Sequence, residues 1–224
     1  MRQFFFLFAI VVGFVSCKKD ETVIIYGYQY FPFEKGKYVV YDVMDIFHDV
    51  ALNPAHDTNY YQIKEVIGDE ELDNENQVYR KLYRYKRLTS SDAWNIKDVW
   101  VIKRTKTNAE VVEENKRRIA MAFSISYDQE WNYNALNEDE ALDAYYENIY
   151  EPLSIGDISY DSTVRVEIEQ NLNFIEYKRQ YSIYAANIGK VYSVKKNLVI
   201  TNSDTLDIQK GTEIIYTATQ FGIE

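Results

Sequence analysis

Apolar residues recur at every second position through most of this chain, and that spacing constrains its fold more than any other feature. Val164, Val166 and Ile168 alternate with Arg165, Glu167 and Glu169, the pattern of a strand with one buried and one wet face. Ile175, Tyr177, Tyr181 and Ile183 keep one phase against Glu176, Lys178, Gln180 and Ser182, with Arg179 interrupting the apolar phase. Residues 38–47, 60–67, 77–87, 99–105, 110–113, 119–123, 188–200 and 213–219 read the same way. The connectors carry turn formers: Asn53-Pro54, Gly68-Asp69, Asp73-Asn74, Ser90-Ser91-Asp92, Asn171, Asn187 and residues 202–204. Helix signal is confined to residues 137–146, where Asn137 would cap one or two turns begun by Glu138, Asp139 and Glu140.

About ten strands with short links predict an all-β domain with minor helix, built as an antiparallel meander. Tyr38-Val39-Val40-Tyr41 is apolar in both phases. A sheet curled into a barrel or half-barrel buries such a segment better than a flat one, which favours closure over an immunoglobulin-like sandwich. Pro32 and Gly36 precede the first strand and set an extended entry and a turn. Phe31 and Phe33 are expected to plug the near end of the barrel.

Cys17 is the single cysteine, and it follows an apolar run over residues 4–15 that opens just after Arg2. That run is too short to span a bilayer, which needs roughly 20 residues, and suits the core of a cleaved export signal. Phe14-Val15-Ser16 before Cys17 resembles a bacterial lipobox, although Phe14 stands where Leu is usual. The plain alternatives are a secreted protein cut near Ser16 or a buried N-terminal helix. The reading adopted is a signal over residues 1–16, a tether over 17–29 and one domain over 30–224, with a lipid anchor at Cys17. Lys18, Lys19, Asp20 and Glu21 follow. Cys17 with these four residues resembles the N-termini of Bacteroidota lipoproteins, which implies the outer membrane, with the surface preferred to the inner leaflet.

Net charge is −10, which argues against nucleic acid as a partner, since phosphate neutralisation needs a basic face. The basic stretches at residues 80–87 and 116–118 read as wet strand faces. The 21 tyrosines suit half-buried strand faces, where the ring packs and the hydroxyl stays wet. Exposed Tyr and Trp can also stack on sugar rings.

The opening Tyr30-Phe31-Pro32-Phe33-Glu34-Lys35-Gly36-Lys37-Tyr38-Val39-Val40-Tyr41 resembles the start of a family of Bacteroidota lipoproteins of unknown function. So do Asp57-Thr58-Asn59-Tyr60-Tyr61-Gln62-Ile63-Lys64-Glu65, Arg84-Tyr85-Lys86-Arg87, Glu130-Trp131-Asn132 and Ala186-Asn187-Ile188-Gly189-Lys190-Val191-Tyr192. The resemblance implies a compartment and a β fold. It transfers no catalytic or ligand residue.

The usual catalytic arrangements find little support. His48 and His56 are the two imidazoles; His48 ends the first strand and His56 sits in what reads as a loop, neither beside a nucleophile motif. Two histidines with no free cysteine make a poor zinc set. The acidic runs at residues 69–76 and 138–140 lack calcium-loop spacing and read as solvated loops. No phosphate-cradling or dinucleotide motif is present, so no cofactor, metal or catalytic residue is assigned. Two functions remain open. One is a non-catalytic envelope lipoprotein that binds a protein, glycan or apolar ligand through its β domain. The other is a carboxylate-dependent hydrolase of an envelope polymer. A hollow lined by aromatic residues would favour the first, and two facing acids with shifted pKa values the second.

Overall fold

The structure, a computed structural model, describes residues 26–224. Cys17, the signal segment and most of the tether lie outside the described residues. Twelve strands form a single antiparallel sheet: β1 (Lys37–Asp49), β2 (His56–Leu72), β3 (Val78–Arg87), β4 (Asn95–Arg104), β5 (Asn108–Glu113), β6 (Lys116–Ala122), β7 (Glu130–Asn132), β8 (Asp143–Ile155), β9 (Ile158–Leu172), β10 (Glu176–Ala185), β11 (Gly189–Thr201) and β12 (Asp204–Ile223). The order across the sheet is β6-β5-β4-β3-β2-β1-β12-β11-β10-β9-β8-β7. Every pairing but that of β1 with β12 joins sequence neighbours, β6 and β7 are the two edges, and the sheet curls until it nearly closes into a barrel.

The closure runs between β6 and β7 and is thinly bonded. Ile119 N donates to Tyr133 O at 3.0 Å, Trp131 Nε1 donates to Ile119 O at 2.9 Å, and Asn137 Nδ2 donates to Arg117 O at 2.8 Å. Elsewhere the shell is a continuous ladder, so edge strands are exposed to further pairing only at this seam.

The meander puts alternate connections at opposite ends. One end, here called the near end, holds the chain's entry: a single 3₁₀ turn over Tyr28–Tyr30, followed by Phe31 and Phe33. Asn187 N donates to Gln29 O at 2.7 Å, and Arg104 Nη1 donates to Phe31 O at 3.0 Å. Tyr30 and Phe31 are buried with Ile67, Ile102 and Tyr146. Phe33 is half-buried, with the Arg80 and Arg104 guanidiniums 5.2 and 5.4 Å from its ring centroid. The aromatic opening therefore plugs the near end. The packed chain starts upstream of Tyr30, because Tyr28 already meets Phe123 edge-on at 4.7 Å.

Three expectations are corrected. Residues 137–146 are not helical: Asn132, Asn134 and Asn137 spend their amides on nearby backbone groups, including Leu142 N and Glu140 O, and the chain enters β8 at Asp143. Such side-chain bonds compete with helix formation. Gly68-Asp69 is not a connector but a bulge within β2, where the register shifts between Ile67 and Glu70. A Cβ on Gly68 would lie 2.6 Å from the Tyr83 ring, so the bulge needs glycine there. Asn171 lies inside β9, and the turn follows it.

Candidate functional site: the barrel lumen

The wall of the barrel is built from register. Val39, Tyr41 and Val43 on β1 stand opposite Glu65, Ile63 and Tyr61 on β2, and directly opposed residues share a face. Glu65 stands opposite Arg84 on β3, and Arg84 opposite Asp98 on β4. This face is the inside. It encloses a hollow of about 440 Å³ lined by Tyr61, Arg84, Trp100, Tyr133, Tyr184 and Tyr216. Towards the far end the lining turns charged, with Lys97, Glu113, Arg118, Asp139, Glu169 and Lys195. A smaller hollow of about 90 Å³ lies against the plug and shares Trp100, Val111, Tyr184 and Lys190 with the larger one.

Arg84 is the hub, 2% exposed. Its Nε donates to Glu65 Oε1 at 3.0 Å, its Nη1 to Asp98 Oδ1 and Oδ2 at 3.1 and 3.0 Å, and its Nη2 to the Tyr216 hydroxyl at 3.3 Å. Trp100 supplies an aromatic face. The Tyr41 hydroxyl, which donates to Lys190 O at 2.9 Å, lies 3.4 Å from Glu65 Oε2, and Lys190 Nζ is 3.9 Å from the same oxygen. Burial alone would raise the Glu65 pKa. Lys190 and Arg84, with the Arg84 and Tyr41 hydrogen bonds, outweigh it and hold the carboxyl below its ordinary range. On the Arg84 side, burial works against the charge, while Glu65, Tyr216 and Asp98 hold the guanidinium firmly protonated.

The tyrosines of this wall are pushed towards the neutral form. Burial raises the pKa of Tyr41, Tyr61, Tyr133 and Tyr184, and it lifts Tyr216 to about 12. They are hydroxyl donors across the whole physiological range. Chemically the lumen offers ring faces, neutral hydroxyls and fixed charges, of which Arg84 is paired with Glu65 and Asp98 and Arg118 with Glu113. This suits a polar, uncharged ligand with apolar ring faces.

The expectation that residues 80–87 form a wet basic face is overturned. Ladder phase puts Arg80, Leu82, Arg84 and Lys86 on the inside, and Lys86 Nζ sits 3.7 Å from the Tyr61 centroid. Arg118 likewise lines the lumen. In sequence the signal was a charge interrupting an apolar phase, as Glu65 does after Tyr61 and Ile63. On β9, Glu167 is also not wet. It lies fully buried under Arg165 and Arg179: Arg179 Nη2 donates to its Oε2 at 2.9 Å, and Arg165 Nη2 forms an ion pair with the same oxygen at 2.8 Å.

His56 is the first residue of β2 rather than part of a loop, and it stands opposite His48. Half of the acidic segment at residues 69–76 ends β2 and the rest forms the turn after it; Lys35, Arg80, Lys81 and Lys103 pair with Asp69, Glu70, Glu71 and Asp73. Among the described residues no group of three or more His, Cys, Asp or Glu is placed to hold a metal ion. Compared with models of protein families and with curated proteins, the chain matches none.

Proposed function

We propose that this protein is a non-catalytic cell-envelope lipoprotein, held to the outer membrane by acylated Cys17, whose barrel lumen binds a sugar-like ligand. The observation that carries this reading is the 440 Å³ hollow in which Trp100 and several tyrosines stand beside an Arg84 already paired with Glu65 and Asp98. Ligand pockets are commonly about 300–1,000 Å³ and combine ring faces with a few placed polar groups. The hydrolase reading gains nothing from the lumen carboxylate that is best defined: Glu65 is held below its ordinary carboxyl range and bonded by Arg84, so it is poorly suited to protonate a leaving group. The outward phase carries polar pairs such as Asp42 with Gln62 and Lys64 with Glu224, which suits a water-facing domain on a tether. The entry and plug lie at the near end, so such a tether would leave the far mouth facing away from the membrane.

The test is titration of the purified protein with neutral di- and trisaccharides, followed by calorimetry and tryptophan fluorescence. Saturable binding that is weakened at least tenfold by Trp100→Ala, with the sugar recovered intact, supports the reading. Binding indifferent to Trp100, or release of shorter sugars, defeats it. Mass spectrometry of the membrane-extracted protein tests the anchor: the mature N-terminus should be a lipid-modified Cys17.

A further inference from the structure

The chain's two histidines meet on the outer face of the barrel near its far rim. His48 and His56 are cross-strand partners, and their Nδ1 atoms lie 2.8 Å apart. Two ring nitrogens at that distance cannot both carry hydrogen, so one presents a lone pair to the other. Glu213 fixes the orientation of His48. Its Oε1 lies 2.9 Å from His48 Nε2, and its Oε2 lies 2.5 Å from Lys196 Nζ. A carboxylate held by a lysine only accepts, so His48 carries a hydrogen on Nε2 and its Nδ1 is the atom turned to His56. His48 and Glu213 are 5% and 7% exposed, while His56 is exposed. One half of the pair is fixed and the other can turn.

We propose that this pair is a seat for a late first-row divalent transition ion, with Zn²⁺ as the reference, which replaces the hydrogen between the two Nδ1 atoms. Imidazole suits Zn, Cu and Ni. At Zn–N distances of about 2.0–2.1 Å a tetrahedral ion needs its two nitrogens about 3.3 Å apart. The pair must open by roughly half an ångström, a small rotation for exposed His56. The hydrogen between the two Nδ1 atoms goes to solvent, and each ring bound through Nδ1 keeps or takes from solvent a hydrogen on Nε2. Water fills the remaining positions. The seat has two protein ligands and open coordination, unlike the closed set of a structural zinc. Glu213 behind His48 is the outer carboxylate that commonly orients a metal-binding imidazole and raises its basicity. Lys196 holds that carboxylate in place.

The test is calorimetric titration of the full chain with zinc chloride, paired with NMR of the imidazole resonances. The chain has two histidines, so both signals are read without overlap. One equivalent should bind and both rings should shift. His56→Ala should lose the saturable equivalent, and Glu213→Gln should weaken it about 10- to 100-fold, with unchanged far-UV circular dichroism in both. Rings that stay unmoved in excess zinc, or a His56→Ala protein that binds as well as the parent, overturn the proposal. The pair lies on the outside of the wall, so this result and the sugar titration succeed or fail separately.

Discussion

Arg84 lies with its guanidinium carbon 3.5 Å from the centroid of the Trp100 ring. The two come from adjacent strands, Arg84 opposite Asp98 and Trp100 opposite Leu82, so they are diagonal neighbours on the lumen face. The ring covers one side of a cation whose edges are bound by Glu65 and Asp98. Cation–π stacking, hydrogen bonding and charge pairing all depend on the same side chain.

Arg84→Met should therefore be severely destabilising, because it keeps apolar bulk against Trp100 but leaves Glu65 buried without its partner. Breaking a buried pair from one side costs about 3–5 kcal/mol, read as a lower midpoint in urea. The double change Arg84→Met with Glu65→Gln should lose less than Arg84→Met alone. Equal losses would mean that the pairing contributes little.

Stability should fall in acid through Glu65. Its folded pKa is depressed, so its contribution is complete above the unfolded carboxylate value, about 4, and is lost as pH falls through the lower folded value. Thermal midpoints measured from neutral pH downward should drop below about pH 4. The drop should be shallower in Glu65→Gln, which has no carboxyl to titrate there.

Alkaline pH should act through the tyrosines. Burial raises Tyr216 and Tyr192 to about 12 from an ordinary 10.0. A raised folded value means that the stabilisation is complete below pH 10 and is lost as pH climbs towards 12. Ultraviolet titration should show a late class of tyrosines ionising together with loss of the fold. Tyr216→Phe should reduce that class.

The plug should divide unequally between its two rings. Phe31 is 8% exposed, and Phe31→Ala should cost about 3–5 kcal/mol. Phe33 is only half-buried between Arg80 and Arg104, so Phe33→Ala should lower the melting midpoint by a smaller amount. A larger loss at Phe33 than at Phe31 would reverse the roles given to them here.

Most of the shell was legible from alternation, as with β9, where Val164, Val166 and Ile168 are buried as their phase predicts. β8 escaped because its register shifts between Glu147 and Glu151 and again between Glu151 and Leu153, and bulges there break period two. The lumen was legible only in part. Alternation assigns charged residues to water, but here the inside is itself polar: the charged phase of β3 that carries Arg84 and Lys86 faces the lumen, and Glu65 shares the inward phase of Tyr61 and Ile63. The histidine pair depended on a register: eight residues apart in sequence, His48 and His56 become opposed only once the β1–β2 hairpin is aligned.

The β1–β12 ladder, which pairs Val40 with Gln220 and Asp49 with Lys210, sets the tempo of folding. Every other pairing in the sheet joins strands that follow one another along the chain, and such hairpins zip in about 1–10 μs. Two six-stranded arms can thus grow independently from their own turns. Their union waits on a search across nearly the whole chain, whose loop entropy must be met before any rung of that ladder forms. The slowest step of folding is then the meeting of the arms along β1 and β12, where Tyr41 packs edge-on against Tyr216.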